Sequence, residues 1–203
     1  MARKANFDRD EKLDLAMHLF WEKGYAATSV ADLVDTLNIN RFSLYNTYGD
    51  KQALYYEALN RYLETVSMPS IEPLRSVSAD LHVLVAFLTS FAEKQKVNAQ
   101  GCFMQNAVVE HAGKNVFVLE TGNLLFDTLC ELIGEILTRA RDSGKLHPYV
   151  NPQEFAQMIV VQMQGIRVMS KAKRFDDIKA TLNSLCALLG IDSKANTEQM
   201  TSC

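Results

Sequence analysis

Residues Asn40 to Tyr48 read NRFSLYNTY, a short run whose side chains suit recognition better than bond-breaking. A guanidinium such as Arg41 matches the paired acceptors of guanine or a phosphate oxygen, and Ser43 and Asn46 can bond base edges or phosphates. Phe42 offers an apolar surface to a thymine methyl. A second set lies further along the chain. Cys102, Asn106 and Glu110 recur at i, i+4 and i+8, so on a helix they share one face. Beside Phe87, Phe91, Phe103, Phe117 and Met158, such a stripe suits an apolar pocket with a few convergent polar groups, the usual form of a small-molecule site. A plainer reading gives Asn106 and Glu110 to neighbouring helix ends and Cys102 to packing. A thiol at a helix start can also react with electrophiles or oxidants, although no basic neighbour in sequence assists Cys102.

Composition narrows the function classes. With 203 residues, 48% of them hydrophobic, the chain can build one large core or a small head and a body. The net charge of −3 gives no bulk basic character. Up to Lys51 there are seven bases against eight acids, so a nucleic-acid reading must rest on the motif and not on charge. No apolar run approaches the ~20 residues that cross a bilayer, and MARKANFDRDEK lacks a signal-peptide core. The expectation is a cytoplasmic protein without a membrane partner. Cys102, Cys130, Cys186 and Cys203 are scattered, with neither CxxC spacing nor histidines placed beside them, so neither a metal nor another cofactor is expected.

The elements that must position these groups are all helical. Leu13, Ala16, Met17 and Phe20 give one buried face, and Gly24 offers a left-handed stop. Thr28 and Ser29 are cap candidates for a second helix bearing Val30, Leu33, Val34 and Leu37. Asn38 tolerates the left-handed turn, Asn40 can cap a third helix over Arg41–Thr47 with Leu44 inward, and Asp50 can cap a fourth. Two prolines in Ser67–Pro73 are expected to break the pattern. Ser78 is a cap candidate for the next helix, with Leu81, Leu84, Leu88 and Phe91. A short helix follows Gly101, then a long one from about Asn115 to Asp142 that is apolar on two faces. Pro152 opens a further helix running to about Ser170, and a last one stops at Gly190. The expected division is a DNA-binding head over residues 1–50, a connecting helix over 51–66, a helical body over 74–191 and a disordered tail over 192–203.

Two helices joined by a tight turn, the second short and exposed, make a helix–turn–helix. The ordered set Gly24-Tyr25, Thr28-Ser29-Val30, Leu44-Tyr45, Tyr48-Gly49-Asp50-Lys51 and Leu54 resembles the DNA-binding domain of tetracycline-repressor (TetR) family regulators, over about Asp10 to Leu63. The resemblance implies an all-α fold: a three-helix head, a fourth connecting helix, and a C-terminal bundle for ligand binding and dimerisation. It implies DNA contacts from Thr28, Ser29, Asn40, Arg41, Phe42, Ser43, Tyr45, Asn46, Tyr48 and Lys51, with packing as the alternative role of Tyr48. Asn38 stands where the family often has Gly, and Phe42 where a small residue is common. The implied partners are a pseudo-palindromic duplex operator, a small-molecule inducer and a second copy of the chain. The helix from Pro152 to Ser170 is apolar nearly all round, and with the last helix it could form a symmetric four-helix interface. Phe155, Ile159, Met163, Ile166, Ile178, Leu182, Leu185 and Leu189 are the expected dimer contacts.

Two other classes compete. A cysteine enzyme would use Cys102, Glu110 and His111 as nucleophile, acid and base, but adjacent helix residues point about 100° apart. His18, His82, His111 and His147 are scattered, and no phosphate loop is present. A helical adaptor would use the same head to bind protein instead of DNA.

Overall fold

The computed structural model describes residues 7–98, 100–111 and 113–191, so the tail expected over 192–203 lies outside the described residues. No strand occurs among the described residues, as the periodicity requires. The helices are α1 (Arg9–Lys23), α2 (Val30–Leu37), α3 (Arg41–Tyr48), α4 (Lys51–Tyr62), α5 (Met68–Ile71), α6 (Leu81–Val97), α7 (Phe103–His111), α8 (Val116–Asp142), α9 (Pro152–Lys171) and α10 (Phe175–Leu188).

Short polar side chains set the starts of the head helices. Asp8 accepts from the amides of Asp10 and Glu11 at the start of α1. Ser29 and Asp32 form a reciprocal capping box on α2, Asn40 caps α3 and Asp50 caps α4. Asn38 holds the turn between α2 and α3 in the left-handed region, at φ 49 and ψ 48. Ser29, Asn38, Asn40 and Asp50 are residues the sequence suggests, because a side chain that bonds its own backbone favours a helix end over its middle; the Asp8 cap is an addition from the structure.

Two local expectations fail. The cap of α6 is Asp80, whose carboxylate accepts from the amides of His82 and Val83; Ser78 lies outside and its hydroxyl meets that of Ser76. Nor do the prolines of Ser67–Pro73 break the winding. A π turn over Leu63–Ser67 continues into α5, and a 3₁₀ turn over Glu72–Arg75 follows. Pro73 falls in the first turn of the 3₁₀ segment, where its missing N–H is not needed, whereas Pro69 sits within the continuous winding, beside the π turn.

The described residues divide into two compact units that do not follow the linear order: those up to residue 69 with 102–125, and 70–101 with those from 126 to 191. In the first unit α1 packs on α2 and α4, α3 on α2 and α4, and α7 on α4. Leu33, Leu37, Leu44, Leu54 and Leu59 are fully buried, with Phe20 set edge-on to Tyr55 at 5.1 Å between ring centres. In the second unit α6, α9 and α10 pack pairwise around Ala92, Ile166 and Ile178. Ser170 there donates to the Gln95 carbonyl at 2.6 Å. Within the stretch expected as the body, 74–191, helix α7 packs on α4 in the first unit.

Candidate nucleic-acid interface

Helix α3 presents Arg41, Phe42, Tyr45 and Asn46 to solvent, with Ser43 half-buried beside them, while Leu44 and Tyr48 anchor its inner face. Phe42 is 80% exposed, an uncommon cost for a large apolar side chain unless something covers it. The left-handed Asn38 turns the chain so that α3 packs against both α2 and α4 and still keeps this outer face bare.

Several polar groups around α3 are already engaged. The Asn40 carboxamide accepts from the Ser43 amide at 2.8 Å. The Ser29 hydroxyl and amide donate to the Asp32 carboxylate at 2.6 and 2.7 Å and hold that carboxyl well below its usual range, while the same hydroxyl accepts from the Asp32 amide at 3.0 Å. Lys23 also pairs with Asp32, at 3.0 Å. Thr28 is fully buried and donates to the Gly24 carbonyl at 2.6 Å, so its side chain is a structural staple and not a DNA contact. Tyr48 is corrected likewise. It is 3% exposed, its hydroxyl donates to the Arg9 carbonyl at 2.8 Å, and burial pushes that hydroxyl up to about 12. Lys51 is half-buried, with its ammonium 4.3 Å from the centre of the Tyr25 ring. The surface best equipped for bases reduces to Arg41, Phe42, Ser43, Tyr45 and Asn46.

The residues expected around a small molecule are divided. Cys102, Phe103, Asn106, Glu110 and Phe117 belong to the first unit, whereas Phe87, Phe91 and Met158 belong to the second. Glu110 is an exposed carboxylate whose two oxygens accept the Tyr25 and Ala26 amides at 2.9 and 2.7 Å. Gly24, at φ 81, leaves that carboxylate room; an added Cβ would stand 3.1 Å from one of its oxygens. Glu110 therefore closes the turn between α1 and α2, which corrects its assignment to a ligand-facing stripe. Phe103 is 1% exposed, edge-on to Tyr55 and Tyr62, both at 5.7 Å, and is core of the head. Phe117 stacks on Tyr56 at 4.1 Å, and Asn115 donates to the Tyr56 hydroxyl at 2.8 Å. Cys102 is 3% exposed, and Asn106 is half-buried. In the second unit Phe87 and Phe91 stack at 6.5 Å, with the Arg167 guanidinium 5.1 Å from the Phe91 ring centre.

Six of the eight expected dimer contacts are buried within the protomer: Ile159, Met163, Ile166, Ile178, Leu185 and Leu189. Only Phe155 and Leu182 are half-buried. A helix apolar all round conceals which stripe faces inward, so the sequence missed the exposed stripe of Val161, Gly165 and Val168 on α9, with Leu188 on α10. The missed signal was the spacing of small and β-branched residues at i, i+4 and i+7. Among the described residues no cluster could hold a metal ion, and no helix is long and apolar enough to cross a membrane.

Comparison with known proteins agrees with this geometry. Residues 13–58 match the bacterial regulatory proteins of the tetR family, and residues 79–182 match a tetracyclin repressor-like C-terminal domain. The transcriptional repressor ComR of Escherichia coli is 27% identical over 170 residues, covering 81% of this chain and 80% of ComR. The regulator YezE of Bacillus subtilis is 30% identical over 152 residues, covering 72% of this chain and 77% of YezE. Among solved structures, a cysteine mutant of CifR complexed with 26-bp operator DNA aligns with a TM-score of 0.75 at 24% identity, over 90% of this chain and 97% of that one. A Chloroflexus aurantiacus regulator aligns with a TM-score of 0.76 at 21% identity, over 88% and 93%. The all-helical head with its bare third helix, and matches along both halves of the chain, lead to one assignment: this protein belongs to the tetR family and is a helix–turn–helix DNA-binding transcriptional regulator.

Proposed function

We propose that the protein is a homodimeric repressor that seats α3 of each protomer in successive major grooves of a pseudo-palindromic operator and leaves it when a small molecule binds. The observation that carries this reading is the outer face of α3. It keeps Arg41, Phe42, Tyr45 and Asn46 exposed while Thr28, Ser29, Asn40 and Tyr48 serve the head's own structure. Half-sites about 34 Å apart demand two heads, and the stripe of Val161, Gly165 and Val168 is the face we assign to the second copy. The repressor sign follows ComR, itself a transcriptional repressor.

Release requires a ligand that binds the two arrangements of the dimer unequally. Moving the population from 99:1 on DNA to 1:99 takes a differential affinity of about 10⁴-fold. Glu110 is the route we assign into the head, since it joins α7 to the turn that precedes α2. The burial of Cys102 argues against direct sensing of oxidants, because reactive thiols sit partly exposed.

The test is selection of duplexes from a random pool by the purified full chain, followed by gel shift and light scattering. A palindromic motif bound by two protomers is expected, and Arg41→Ala is expected to lose at least about 30-fold in affinity, a bidentate base contact being worth about 1–3 kcal/mol in each of two half-sites. Failure to enrich any motif, or an unchanged Arg41→Ala affinity, would refute the reading. Capture of a protein in place of DNA would favour an adaptor.

A further inference from the structure

The outer face of α3 is unusually poor in charge. Arg41 is its single ionic group, and the helix carries no acid. Among the described residues, the other cations up to Lys51 are occupied: Arg9 with Glu57 at 2.6 Å, Lys12 with Glu11 at 3.1 Å, Lys23 with Asp32 at 3.0 Å, and Lys51 over the Tyr25 ring. Electrostatic adhesion to phosphates is therefore a smaller resource here than in a basic head. The largest exposed surface belongs instead to two aromatic rings. Phe42 is 80% and Tyr45 44% exposed, and their i, i+3 spacing places them side by side.

A major groove presents one strongly apolar feature, the C5-methyl of thymine; every other edge shows hydrogen-bonding groups. A phenyl ring held at the second position of the reading helix has no hydrogen bond to offer. It gains only by covering a methyl and loses by covering an amino group or a carbonyl oxygen. Tyr45, one turn on, widens the same apolar strip and keeps a hydroxyl at its far end. Arg41 on one flank and Asn46 on the other carry groups suited to guanine and adenine.

We propose that Phe42 is a specificity-determining residue that reads thymine C5-methyl groups, with Tyr45 extending the contact, so that the operator half-site is defined as much by methyls as by hydrogen bonds. This inference rests on the DNA-reading role of α3 proposed above. It adds that the chain discriminates thymine from uracil, and 5-methylcytosine from cytosine, at the positions Phe42 covers.

The experiment starts from the duplex selected by the full chain. Each thymine of the half-site is replaced in turn by deoxyuridine, and wild type, Phe42→Ala and Phe42→Leu are titrated by fluorescence anisotropy. One or two positions in the wild type are expected to lose about fourfold each, the equivalent of a buried methyl at ~0.8 kcal/mol. Phe42→Ala should bind the thymine and uracil duplexes equally, and Phe42→Leu should restore part of the difference. Exposure of Phe42 protects the fold in both variants, which an unchanged melting temperature verifies. If the selected duplex binds tightly and no deoxyuridine position matters, or if the difference persists in Phe42→Ala, the methyl reading is overturned while the regulator reading stands. If no duplex is selected, the regulator reading fails, and this inference falls with it.

Discussion

Helices α3 and α7 are nearly equal in length, and each carries polar side chains spaced for recognition, yet they serve opposite ends. At the start of α3 the Asn40 carboxamide accepts from the Ser43 amide, and the outer side chains are left for something outside the protein. On α7 the outward carboxylate is the satisfying group. Glu110 accepts two amides that lie 85 and 84 residues earlier in the chain. A polar stripe at helical spacing marks a binding face only when no distant backbone donor claims it.

The contrast can be broken most sharply at Phe103. If α7 is head core and not the wall of a ligand site, Phe103→Ala should cost about 3–5 kcal/mol of unfolding free energy, read by urea denaturation. A loss under about 1 kcal/mol would return Phe103 to the ligand. Next comes Glu110→Ala, which leaves the Tyr25 and Ala26 amides to water. Bonds to a charged acceptor are worth about 1.5–3 kcal/mol, and the exposure of this site sets the expectation near the lower figure. Faster hydrogen exchange at those two amides, with no change on α3, would sharpen the comparison; unaltered exchange would remove the latch.

The smallest effect belongs to the Asp14–Arg61 pair between α1 and α4, bonded at 2.7 and 3.1 Å. Hydrogen bonding to Arg61 holds the Asp14 carboxyl below its ordinary value, so its folded form binds a proton less readily than its unfolded form. That contribution is present above the ordinary carboxylate range near pH 4 and is lost as pH falls through the lower folded value. Both side chains are partly exposed, so Asp14→Asn should lower the melting temperature only slightly at pH 7. The gap between wild type and variant should close as the pH drops below 4; a constant gap from pH 7 to pH 3 would show that the charge of Asp14 is not what matters.

How far the sequence carries differs with the range of the interaction. The caps at Ser29, Asn40 and Asp50, the left-handed Asn38 and the buried Leu33, Leu37 and Leu44 were legible because each depends on residues within one or two turns. The substitution of Asp80 for Ser78 as the cap of α6 shows the limit of even that, since either residue can cap and only the backbone decides. Glu110 was legible only as one of two readings, a ligand-facing stripe or a partner for neighbouring helix ends; the second holds, and which amides it takes is decided by the packing of α7 on α4. The inward stripe of α9 was illegible for a related reason. With apolar residues on every side, the burial of Ile159, Met163 and Ile166 and the exposure of Val161 and Val168 depend on where α6 and α10 lie.

Because residues 102–125 pack with the head helices, a single cut after the fourth helix would part the head from side chains that complete it. A chimera joined at that cut would strand the turn at Tyr25 without its carboxylate and leave Tyr56 without the ring of Phe117. A functional transplant would need two junctions, carrying α7 and the start of α8 along with the DNA reader. Engineers who exchange specificities between such regulators would therefore do better to redraw the modules by packing than by position in the chain.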